Sequence, residues 1–68
     1  MTKKEWAIAV RHGMIDKGLN MNEYTKQVGC SRMTIWNALK GDRMTNQETI
    51  DRMSEVAGIE SINWREAE

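Results

Sequence analysis

Arg32, Met33, Trp36, Asn37 and Lys40 stand at i, i+1, i+4, i+5 and i+8, a spacing that puts them on one face of a helix. Such a face has readable chemistry. An arginine can pair bidentately with the major-groove edge of guanine, and an asparagine with that of adenine. Met33 and Trp36 are large and apolar. They fit thymine methyl groups, a protein-binding patch or, for Trp36, the core. Arg32, Met33, Trp36 and Asn37 are therefore the candidate base-contacting residues. Ser31 precedes them as a good N-cap, and the free N–H groups at a helix start suit a phosphate. Lys40 and Arg43 follow the helix, while Asn20 and Lys26 belong to the segment before it. With Ser31, these four are the candidate phosphate contacts.

Other chemistries find no support. His12 is the only histidine and lies far in sequence from Cys30, so no metal site is expected. Cys30 sits in a turn, where a small, weakly polar side chain packs well. Nucleophilic work would require an activating base and an electropositive pocket. There is no glycine-rich phosphate loop and no pair of catalytic carboxylates. The expectation is a binding protein without cofactor, not an enzyme.

Charge is unevenly spread and compatible with a polyanionic partner. The chain is formally neutral, yet residues 1–43 carry eight cations against four carboxylates, and residues 44–68 two against six. A basic half and an acidic half can present one face towards a polyanion and another away from it. Ordinary solvated helix surface accounts for the same asymmetry equally well.

The elements that would position these residues are marked by their ends. Thr2 with Glu5, Asn20 with Glu23, and Thr45 with Glu48 have the spacing of a capping box. Gly18, Gly29, Gly41 and Gly58 fall where a helix needs a left-handed closing residue. Starts and stops alternate to predict helices over 3–17, 21–28, 31–40 and 46–57. A short fifth turn is expected near 60–66, with Ser61 close to its start.

Apolar spacing assigns the buried faces: Trp6, Val10 and Met14; Tyr24 and Val28; Ile35, Ala38 and Leu39; Ile50, Met53, Val56 and Ala57. Ile59, Ile62 and Trp64 would close the bottom of the core. Gly13 is costly inside a helix, by roughly 1 kcal/mol against alanine, unless another helix must come close. Thr25 stands where the second and third helices should approach, and a small residue is needed there.

Length and composition agree with an all-α reading. Sixty-eight residues without proline make one domain, residues 1–68, with a small core. Such a core requires efficient helix packing or a partner subunit. A single cysteine forbids an intramolecular disulfide and points to a reducing compartment. No apolar run approaches the roughly 18 residues of a membrane span. The opening MTKKEWAIAVRHG has no hydrophobic signal core, because Arg11 and His12 interrupt it. A cytoplasmic location without membrane association is the expectation.

The stretch at about 20–41 reads as helix, glycine-containing turn and helix, the spacing of a helix-turn-helix. Lys17-Gly18-Leu19 leads into it. Val28-Gly29-Cys30-Ser31-Arg32 forms the turn, and Thr34-Ile35 the helix beyond. Lys40-Gly41-Asp42-Arg43 then leads to Glu48-Thr49-Ile50 and Val56-Ala57-Gly58-Ile59. In order and spacing these elements resemble the lambda-repressor/Cro-type helix-turn-helix family of phage and bacterial regulators, over roughly residues 6–62. Ser31-Arg32-Met33-Thr34-Ile35 also looks like the motif of lactose-repressor-type proteins. There, however, the motif starts at the N-terminus, and here a full helix precedes it. The chain departs from the Cro-type pattern at Gly13 (usually leucine), Met21 (often a phosphate-contacting glutamine) and Thr25 (usually alanine). Trp36 takes a position normally held by a small or polar base reader.

The resemblance implies a compact four- to five-helix domain and a sequence-specific transcriptional regulator of the Cro-like repressor kind. Helix 31–40 would enter the major groove of double-stranded DNA. A homodimer on a two-fold operator is implied, with half-sites about one helical turn apart. With no ligand-sensing domain, control would come from concentration or a regulatory partner protein. Two rivals remain open: a protein-binding module on the same scaffold, such as an antirepressor or recruitment factor, and the antidote half of a toxin–antitoxin pair.

Overall fold

The computed structural model describes residues 1–68 and contains four helices and no strand. Thr2 and Asn20 open the first two, α1 (Lys3–Asp16) and α2 (Met21–Val28), each as a reciprocal capping box. In α1 the Thr2 hydroxyl accepts from the Glu5 N–H while the Glu5 carboxylate accepts from the Thr2 N–H. Ser31 caps α3 (Arg32–Leu39), so that helix begins one residue later than spacing suggested. The fourth, α4 (Gln47–Ala57), corrects the expected Thr45–Glu48 box. Asn46 is the N-cap, its side-chain oxygen accepting from the Thr49 N–H at 2.8 Å. Thr45 is held back in the preceding turn, where its N–H donates to the Asp42 carbonyl.

All four expected stops, Gly18, Gly29, Gly41 and Gly58, have positive φ. Gly29 matters most, because the α2–α3 turn has only three residues. At φ 81° it ends α2, and its N–H donates to the Thr25 carbonyl. The freed carbonyl of Val28 accepts from the Arg52 guanidinium at 2.8 Å, so α4 finishes the end of α2.

The helices enclose one core. α1 packs on α4 and α3, and α2 packs on α4. The expected faces are buried with one exception: Val56 is only half-buried, as are Ile59 and Ile62. Gly13 meets Ala57 at the α1–α4 contact, where a Cβ would have no room. Buried polar groups are paired across helices. Trp6 donates its indole N–H to Ser54 Oγ at 2.9 Å, and that hydroxyl donates to the Ile50 carbonyl. The Tyr24 hydroxyl donates to the Met53 carbonyl, and burial raises its pKa far above the usual phenol range.

Thr25 Oγ1 is the exception, buried without a hydrogen-bond partner. An orphaned hydroxyl carries its full desolvation penalty, and threonine is a poorer helix former than alanine. Thr25→Ala is therefore expected to stabilise the fold by about 1 kcal/mol, read as a higher urea midpoint at unchanged slope. A lower midpoint would mean that the lost methyl packing outweighs the hydroxyl's cost.

After α4 the chain turns back over the core. The fifth element is a single turn at residues 64–66, not a helix, and Asn63 rather than Ser61 starts it: the N–H groups of Glu66 and Ala67 donate to the Asn63 carbonyl. Ser61 instead donates its hydroxyl to Asp51, as Gln47 does its amide. These two bonds hold the Asp51 carboxyl below its ordinary range. Trp64 is the anchor, 2% exposed and edge-on to Trp6 at 5.1 Å. No helix is long and apolar enough to cross a membrane.

Candidate nucleic-acid interface

The two eight-residue helices α2 and α3 form the candidate unit, joined by Gly29, Cys30 and Ser31. Cys30 is half-buried against the core. Ser31 Oγ accepts from the Thr34 N–H and lies 2.9 Å from Thr34 Oγ1. That leaves the N–H groups of Arg32 and Met33 at the open start of α3 for an anion.

Ile35, Ala38 and Leu39 hold α3 to the core, which turns Arg32, Met33, Trp36 and Lys40 outward. Met33 is 69% exposed and Trp36 42%, which corrects the core alternative for Trp36. Asn37 is half-buried. The loop after α3 folds back at that point, with the Asp42 N–H donating to the Asn37 carbonyl. Asn37 therefore sits at the margin of the exposed stripe.

One contact on this face was not legible in the spacing. The Arg32 guanidinium donates to the Asn22 side-chain oxygen, from the first turn of α2 to the first turn of α3. Ten residues separate the two, and no periodicity links them. With Asn20, Met21 and Trp36 they line one shallow depression of about 430 Å3.

The structure thus gathers Asn20, Arg32 and Trp36, flanked by Met33 and Ser31. Asn20 spends its side-chain oxygen as the α2 cap, accepting from the Glu23 N–H, so only its amide N–H groups can reach a phosphate. Met21 is half-buried against the core. Lys26 lies in the last turn of α2, at the far end of that helix from Asn20. Lys40 and Arg43 are exposed beyond the end of α3, at the far end of that helix from Arg32. His12 is exposed on α1. The arrangement can offer an arginine fork and apolar contacts to base edges, with N–H donors to a phosphate. No protein-family model, curated protein or solved structure matches the chain.

Proposed function

We propose that the protein is a sequence-specific DNA-binding transcriptional regulator with a lambda-repressor-like fold, acting as a Cro-like repressor in the cytoplasm. α3 enters the major groove. Arg32 reads a guanine, Met33 and Trp36 contact thymine methyl groups, and Asn37 reads at the edge of the footprint. Asn20, Lys26, Ser31, Lys40 and Arg43 contact phosphates. Two copies bind a two-fold operator as a homodimer. The observation that carries this reading is the outward face of α3, where Arg32, Met33 and Trp36 are exposed together at the helix end that would meet base edges.

Binding to duplexes selected from a random pool, measured at several salt concentrations, tests it. Arg32→Ala is expected to cost roughly 1–3 kcal/mol at one base pair of the selected site and to relax preference there. Equal affinity of the variant for every sequence tested would reject that role, and a flat salt response would reject DNA binding altogether.

A second reading is favoured by the exposure of Met33 and Trp36: a protein-binding module, antirepressor or recruitment factor, docking through the same face. Trp36→Ala separates the two. It abolishes a protein complex under the second reading and only alters base preference under the first.

A further inference from the structure

We propose a second, sequence-independent contact zone for the sugar–phosphate backbone of double-stranded DNA, formed where the start of α1, the end of α3 and the C-terminal turn meet. Two grooves adjoin there. One lies beside the start of α4 and is lined by Lys3, Arg43 and Arg65 among others. The other lies between α1 and the end of α3 and is lined by Lys3, Lys4, Arg11 and Lys40, with Ile8 in its wall. Lys3 belongs to both. Together they hold six of the chain's ten cations and one of its ten carboxylates, Glu68.

That imbalance is not a reflection of composition, because the chain has equal numbers of each sign. Nor is it a run in the sequence. The six come from α1, the α3–α4 loop and the C-terminal turn, and only the fold brings these three segments together. Cations with a single carboxylate among them make a positive surface, which attracts an anion. Lys4, Arg11, Lys40, Arg43 and Arg65 are exposed, with their heads free. Lys3 is half-buried, and its ammonium lies 5.1 Å over the Trp64 ring. Flexible cations spread along two open grooves suit a chain of phosphates better than one compact anion, which needs convergent buried donors.

The band shares no residue with the depression at Arg32 and Trp36. It therefore supplies affinity without base discrimination. The assignment to DNA rests on the reading of α3, and it adds Lys3, Lys4, Arg11 and Arg65 to the contact surface.

The test compares wild type with the triple variant Lys4→Gln, Arg11→Gln, Arg65→Gln. Both are titrated with the selected operator and with a random-sequence duplex across a salt series. All three residues are exposed, so the thermal melt is expected to be unchanged; if it shifts, the three single variants replace the triple. The slope of log affinity against log salt should fall by about 0.9 for each contact removed, on both duplexes, with the operator preference kept. An unchanged slope overturns the band and leaves the α3 reading standing. A reduced slope with no sequence preference and no Arg32→Ala effect supports the band and overturns the α3 reading. If wild type binds neither duplex, both fall.

Discussion

Trp64→Ala is expected to cost roughly 3–5 kcal/mol, a large share of what a domain this small holds. Trp64 is 2% exposed and stacks its ring edge-on against Trp6, which is itself fully buried. Its removal opens a cavity beside Trp6 and strips the Asp42 carbonyl of its indole N–H donor at 2.8 Å. It also releases a strap. The Trp64 backbone N–H donates to Gln47 Oε1, and Gln47 in turn donates to the Ile62 carbonyl and to Asp51. Urea unfolding followed by circular dichroism is the measurement. Trp64→Phe keeps most of the apolar contact and loses the indole bond, so about 1–2 kcal/mol is expected from that change. An unchanged midpoint for Trp64→Ala would show that the tail is not part of the cooperative unit.

The consequence reaches the candidate interface. Asp42 lies in the loop between α3 and α4, next to Arg43, and its N–H closes onto the Asn37 carbonyl. Trp64 holds that loop from the other side through the Asp42 carbonyl. Residues after α4 thus position the loop that follows α3. Spacing placed Trp64 at the bottom of the core but not against this loop, because the bond spans 22 residues and has no periodic signature.

Other features divide along the same line. Caps at Thr2 and Asn20, the four glycine stops and the inward stripe of α3 were legible because each depends on neighbours within a turn or two. The misplaced start of α4 is a local competition: Thr45 and Asn46 are both good caps, and the turn that takes the Thr45 N–H leaves Asn46 to cap the helix. The Arg32–Asn22 bond and the band of cations around Lys3 were hidden for the opposite reason. Their members come from separate segments, and charge counted along the chain saw only a basic half and an acidic half. Arg52, in the acidic half, is not even a free cation, since its guanidinium caps α2.

Gly13→Ala should be destabilising by about 3 kcal/mol, although alanine is the better helix former by roughly 1 kcal/mol. A Cβ built at Gly13 would lie 2.2 Å from the Ala57 carbonyl oxygen and 3.0 Å from the Ala57 Cβ. The first obstacle is backbone and cannot rotate away, so α1 and α4 must separate. Separation loosens Val10 and Met14 on one side and Met53 on the other, all of them buried. The double variant with Ala57→Gly sharpens the expectation. It removes the side-chain contact and keeps the carbonyl, so little stability should return, and glycine at the end of α4 adds its own helix penalty. Full recovery in the double variant would place the conflict between side chains instead. It would then give the close approach of α1 and α4 a different cause from the one assigned to Gly13.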